Sequence, residues 1–209
     1  MRLYGYFRSS AAFRVRIALN LKGMAVEHAF RHLRRGEQRA PDYVALNPQG
    51  LLPTLVLDDG TVLTQSLAII EWLDETHPEP PLLPSDPIRR AKVRAFAAAI
   101  ACDTHPLQNL RVLEGVKTLA GEEAAKAWAR RVNEEGLAEC DKLLAGEAGP
   151  FCFGHRPSLA DICLVPQMTN GRRHGADLSG LPRLLEAEAA AMALPAFADA
   201  HPTRQPDAE

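Results

Sequence analysis

The sequence predicts an α/β domain over residues 1–80 followed by an all-helical domain over 88–209, with a proline-rich linker at 81–87 between them. Three observations carry this reading. Short apolar runs alternate with helically spaced apolar residues in the order β-α-β-α-β-β-α through the first part of the chain. Pro78-Glu79-Pro80-Pro81-Leu82-Leu83-Pro84 then breaks the pattern, because each proline locks φ and removes a backbone donor. From Ser85 onward Ala, Leu, Glu and Arg dominate, all good helix formers.

Within the first domain, Leu3-Tyr4-Gly5-Tyr6-Phe7 is a continuous apolar run of strand length. Ala11, Val15, Ala18 and Leu19 recur at helical spacing, and Gly23 supplies the stop. Residues 26–30 form a weaker second strand, and 41–46 a short helix ending near Asn47-Pro48. Two β-rich runs, Pro53-Thr54-Leu55-Val56-Leu57 and Thr61-Val62-Leu63, flank Asp58-Asp59-Gly60, which is a hairpin signal. Residues 66–75 follow as a helix, with Leu67, Ile70 and Leu73 marking its turns.

In the second domain the apolar run at 95–101 is bracketed by charges and reads as a buried helix. Pro106, within His105-Pro106-Leu107-Gln108-Asn109, interrupts the first long helix. Further helices are expected at 122–144 and 158–172. Ser158-Leu159-Ala160-Asp161 has the form of a capping box, with Asp in place of Glu or Gln, and opens the second of these. The polar tail at 202–209 is expected to fray.

A formal net charge of −2 over 209 residues provides no basic field for nucleic acid or an anionic membrane. Anions are therefore met by individual arginines. The N-terminus lacks the basic start and apolar core of a secretory signal, and no segment is long and apolar enough to span a bilayer. A soluble, cytoplasmic protein is expected. Cys102, Cys140, Cys152 and Cys163 show no C-x-x-C spacing and read as reduced, buried thiols rather than a disulfide framework or zinc site.

The stretch RSSAAFRVRIALN at 8–20 raises the functional question. Ser9 and Ser10 stand just before a helix whose first turn presents unpaired N–H groups and a positive partial charge. They can cap the helix, or they can hold a reactive anion at its positive end. Gln65-Ser66 offers the same pair of readings at the next helix start: a cap, or a carboxylate site.

Four stretches, SSAAFRVRIAL at 9–19, LNPQGLLPTL at 46–55, QSLAIIEWL at 65–73 and SLADICLVPQ at 158–167, join the element order in a common likeness. Together they resemble the zeta class of cytosolic glutathione transferases, whose characterised activity includes maleylacetoacetate isomerase. The resemblance covers nearly the whole chain. It implies a thioredoxin-like N-terminal domain, an all-helical C-terminal domain, a homodimer, and glutathione as the only cofactor, with no metal. One position departs from the family pattern: where a cysteine usually follows the two serines, this chain has Ala11. A mechanism relying on that thiol is unavailable here, whereas one using the thiolate of glutathione is not.

On this resemblance Ser9, Ser10 and Arg8 are the catalytic residues, with Ser10 at the position the family uses to contact the sulfur. Leu52 and Pro53, with a cis bond between them, offer backbone groups to glutathione as an added strand would. Gln65 and Ser66 meet its γ-glutamyl end, and Gln108 or Asn109 add polar contacts. Arg8, His105, Arg111 and Arg173 are assigned to a dicarboxylate substrate, since arginine forks suit carboxylates and enolates. Arg111 also fits a solvated helix face, and His105 also fits a bond to a carbonyl freed at the helix break.

The expected activity is cis–trans isomerisation of maleylacetoacetate in tyrosine and phenylalanine breakdown. Ala11 keeps maleylpyruvate, from gentisate breakdown, open as the substrate. A general transferase and a non-catalytic binding protein on the same scaffold are the remaining readings.

Overall fold

The computed structural model describes residues 1–209 and divides them into two compact units, one of Met1–Pro81 with Leu194–Glu209 and the other of Leu82–Ala193. The first unit is built on a four-stranded sheet of order β2-β1-β3-β4, with β1 at Arg2–Gly5, β2 at Glu27–Phe30, β3 at Thr54–Val56 and β4 at Val62–Thr64. β1 pairs with β2 in parallel and with β3 antiparallel, and β3 pairs antiparallel with β4. Helices α1 (Ser10–Leu21), α2 (Pro41–Leu46) and α3 (Ser66–Thr76) complete the expected β-α-β-α-β-β-α order.

Local chemistry explains the joints. α1 ends in a Schellman motif, in which Gly23 at φ 65° donates to Asn20 O and Met24 donates to Leu19 O. The β3–β4 turn has Gly60 at φ 86°, Leu57 N–H bonded to Thr61 O, and the Asp59 carboxylate accepting from Thr61 N–H.

α1 lies against α3 on one side and against α9 (Pro195–Ala198) on another, so it is buried nearly all round. Its spacing predicts a single apolar face. The structure instead also buries Arg14 and Arg16, whose guanidinium groups find oxygen partners inside the unit.

The 194–209 segment belongs to this first unit, not to the all-helical one, and its last residues are ordered rather than frayed. The reason is polar satisfaction. Arg16 donates to Ala200 O, Asn20 to Ala196 O, and Phe7 N–H to the Asp207 carboxylate. The Gln205 amide donates to Asp199 O and His201 O and folds the segment on itself.

The second unit is built from helices: α4 (Pro87–Ala98), α5 (Leu110–Ala120), α6 (Glu122–Leu143), α7 (Leu159–Arg173) and α8 (Pro182–Met192). α7 is its centre, with α4, α6 and α8 packed against it. The capping box is formed. The buried Asp161 carboxylate accepts from the N–H and hydroxyl of Ser158 and also from Cys152 N–H. Burial pushes the Asp161 carboxyl above its usual range, with these bonds opposing the rise.

The interruption near Pro106 is longer than a kink: α4 passes into a π-helical turn at Ala99–Thr104 and then a 3-10 turn at His105–Gln108. Cys140, Cys152 and Cys163 are buried as expected, but Cys102, on this π-helical turn, is exposed. No helix is long and apolar enough to cross a membrane.

Candidate active site

Residues 6–9 connect β1 to α1 and carry Arg8 and Ser9, and Ser10 opens the helix. The two serines have different jobs. Ser9 is the N-cap, its hydroxyl oxygen accepting from Ala12 N–H at 3.2 Å. Ser10 is the first helical residue, 8 % exposed, and is not needed for the cap. No acidic side chain sits in the first turn of α1, so its positive end is not neutralised locally. The Arg8 guanidinium lies 4.9 Å from the centroid of the Phe7 ring.

The Leu52-Pro53 peptide is cis. The turn before it is held by two side chains that the sequence reading did not single out. The Tyr43 hydroxyl lies 2.6 Å from Leu51 O and 2.7 Å from the Thr54 hydroxyl, and the Asn47 amide donates to the same two oxygens. Tyr43 is fully buried, and burial is the main reason its hydroxyl ionises less readily than usual.

At the next helix start Gln65 has φ 68°, the only non-glycine residue with positive φ. Such a conformation is costly, and the strain sits directly before Ser66, at the mouth of α3. The Gln65 amide donates to Gln49 Oε1 at 2.8 Å, joining two of the recognised stretches. Beneath them Arg14, 1 % exposed, donates from Nη1 to the Ser66 hydroxyl at 3.3 Å. Gln49 and Arg14 were both missed. The available signal was the pair Arg14 and Arg16 in an otherwise apolar helix, which is expensive unless each finds a partner.

In the second unit Gln108 closes the 3-10 turn, 4 % exposed, and its amide nitrogen is buried without a protein partner. Asn109 caps α5, its side chain accepting from Val112 N–H at 3.1 Å, so its oxygen already has a structural task. His105 closes the π-helical turn, its N–H donating to Ile100 O. Arg111 is exposed in the first turn of α5, and Arg173 is exposed at the end of α7, where it donates to the Asn170 side-chain oxygen. The structure thus places Arg8, Ser9 and Ser10 in succession where the β1–α1 loop enters α1. It places Gln65 and Ser66 at one helix start, and Gln108, Asn109 and Arg111 along one turn.

Residues 8–76 match the model of the glutathione S-transferase N-terminal domain. Maleylacetoacetate isomerase of Pseudomonas aeruginosa is 47 % identical over 99 % of this chain and 98 % of its own. A solved maleylpyruvate isomerase, described as a bacterial glutathione transferase of the zeta class, is 43 % identical, with a TM-score of 0.96 over 100 % of both chains. This chain belongs to the maleylacetoacetate isomerase family of zeta-class glutathione transferases.

Another relative, maleylacetoacetate isomerase of Methylobacterium extorquens, was solved with glutathione and malonate bound; it is 44 % identical, with a TM-score of 0.96 over 100 % of both chains. Malonate is a small dicarboxylate, the kind of ligand arginine forks hold. In the present zeta-class chain the cysteine position of the family pattern is filled by Ala11, the second residue of α1, so the first turn offers hydroxyls but no thiol.

Proposed function

We propose that this protein is a glutathione-dependent cis–trans isomerase of maleylacetoacetate. The observation that carries the reading is full-length similarity to maleylacetoacetate isomerase in a chain that keeps both serines at the open end of α1. The reaction needs a nucleophile that adds and leaves again. The glutathione thiolate adds to an alkene carbon conjugated with a carbonyl, and the negative charge moves to the carbonyl oxygen as an enolate. The former double bond then rotates, the enolate collapses, and the thiolate departs, giving the trans alkene with no net change in glutathione.

In this reading the positive end of α1 favours the thiolate, as it does for cysteines held at helix starts. Ser10 donates its hydroxyl to the sulfur, while Ser9 preserves the helix end that makes the donation possible. Leu52 and Pro53 hold the glutathione backbone, and Gln65 and Ser66 receive its γ-glutamyl end, with Gln108 and Asn109 as further polar contacts. Arg8 pairs with the substrate carboxylate beside the reacting alkene, and Arg111, Arg173 and His105 complete the set assigned to the dicarboxylate. A homodimer and a cytoplasmic location belong to the same reading, and sedimentation equilibrium tests the former.

Maleylpyruvate is the second reading, favoured by the similarity to a maleylpyruvate isomerase. The deciding experiment is isomerisation of each substrate with and without glutathione. Turnover of maleylacetoacetate only when glutathione is present supports the proposal. Preference for maleylpyruvate replaces it with the second reading. Absence of turnover of both, with glutathione bound, leaves a general transferase or a binding protein.

A further inference from the structure

The loop that carries Arg8 is pinned by the far end of the chain. Phe7 N–H donates to Asp207 Oδ2 at 2.9 Å, across a separation of 200 residues. Phe7 C=O accepts from Arg16 Nη2 at 3.2 Å, and Arg16 Nε donates to Ala200 O at 3.1 Å. Thus one guanidinium, on the second turn of α1, ties the loop and the 194–209 segment together, while a carboxylate from that segment holds the other side of the same residue. Ser9 N–H donates to Tyr6 O at 2.9 Å and closes the loop from within.

The Phe7 side chain is equally constrained. Its ring lies edge-on to Tyr6, 4.8 Å between centroids, and is the surface over which the Arg8 guanidinium rests. Fixing both peptide groups of Phe7 therefore fixes the platform under Arg8. Burial lowers the Arg16 pKa to about 10, and the nearby Asp207 charge opposes that fall, so Arg16 remains cationic at neutral pH and faces a carboxylate. Further along, Arg35 Nη2 donates to Glu209 Oε1 at 3.0 Å, a second contact between the first unit's loops and the end of the segment.

We infer that Asp207 and Arg16 are positioning residues for Arg8, so that the 194–209 segment, remote in sequence from the loop, sets the discrimination of the enzyme for anionic substrates. The inference rests on the proposed role of Arg8 and adds to it the device that places the guanidinium. Misplacing a carboxylate-binding group by a fraction of its reach weakens transition-state binding of a charged substrate while leaving fold and thiol chemistry intact.

The test compares two alkenes with and without charge: maleylacetoacetate, and dimethyl maleate, the neutral diester, each with glutathione. Asp207→Ala is expected to lower kcat/KM for maleylacetoacetate about tenfold while changing the rate with dimethyl maleate and the affinity for glutathione by less than about twofold. Asp207→Asn, which keeps an oxygen for Phe7 N–H, is expected to recover most of the loss. Arg8→Ala should lower kcat/KM for maleylacetoacetate at least as far, and Arg8→Ala with Asp207→Ala no further than Arg8→Ala alone. If Asp207→Ala does not fold, Asp207→Glu, which displaces the same carboxylate by one methylene, gives the same selective loss in milder form. Equal losses on both alkenes, or additive losses in the double variant, overturn the positioning role. Arg8→Ala with unchanged preference for the charged alkene overturns instead the reading of Arg8, and the inference with it.

Discussion

Arg14 donates from Nη1 to the Ser66 hydroxyl at 3.3 Å, both side chains buried where the first turn of α3 begins. A positive group under a helix N-terminus adds to the field already provided by the unpaired N–H groups there. Ser66 can accept from Arg14 and still donate its own proton outward, which is the arrangement a bound carboxylate requires.

Ser66→Ala should therefore raise the KM for glutathione by about tenfold, one hydrogen bond to a charged group, with kcat at saturating glutathione little changed. Arg14→Met should do the same, because it keeps the packing volume while removing the charge. Titration calorimetry of glutathione against each variant checks the direction. An unchanged affinity in both would remove this helix start from the glutathione site.

The two serines should separate in the laboratory as they do in the structure. Ser9→Ala removes the cap on α1 and should cost about 1 kcal/mol of stability. Ser10→Ala should cost little stability and raise the pKa of bound glutathione, read from thiolate absorbance against pH. Should Ser9→Ala move the thiol and Ser10→Ala not, the assigned roles are reversed.

α6 approaches the π-helical turn at Gly136, where a Cβ would lie 2.3 Å from Thr104 Oγ1 and 2.6 Å from its Cγ2. Thr104 is buried and β-branched, and its hydroxyl donates to Ala99 O, so it cannot step aside cheaply. Gly136→Ala should destabilise by about 1–3 kcal/mol despite the better helix propensity of alanine. Adding Thr104→Ala should restore much of that loss in chemical denaturation. Failure of the second substitution to rescue the first would show that the close approach is not the cause.

His174 caps the C-terminal end of α7, and burial, with the neighbouring Arg173 charge, lowers its pKa from 6.5 to about 4. The folded state thus binds this proton less readily than the unfolded chain. Above pH 6.5 both states are neutral there and the contribution is constant. As the pH falls from about 6.5 toward about 4, the unfolded state gains the proton first and stability declines. His174→Gln should flatten the dependence of unfolding free energy on pH across that window. An unaltered slope would assign the acid sensitivity to other groups.

What the sequence determined by itself was set by neighbours along the chain. Gly23 after α1, Asp59-Gly60 between β3 and β4, and Ser158 with Asp161 at the start of α7 act within five residues of themselves, so their spacing is legible without coordinates. The recognised stretches around Ser9, Leu52 and Gln65 were legible for the same reason, each being a local motif at an element end.

Only the tertiary structure decided which charges go inside. Arg14 meets Ser66 across 52 residues, Arg16 meets Ala200 across 184, and Asp207 meets Phe7 across 200. Helical periodicity puts Arg14 and Arg16 on different sides of α1, neither marked as buried by the apolar spacing, and the polar composition of 202–209 reads as a loose end. Their burial follows from the need of each enclosed donor for an acceptor, a requirement that pairs groups by position in space and leaves no periodic trace in the sequence.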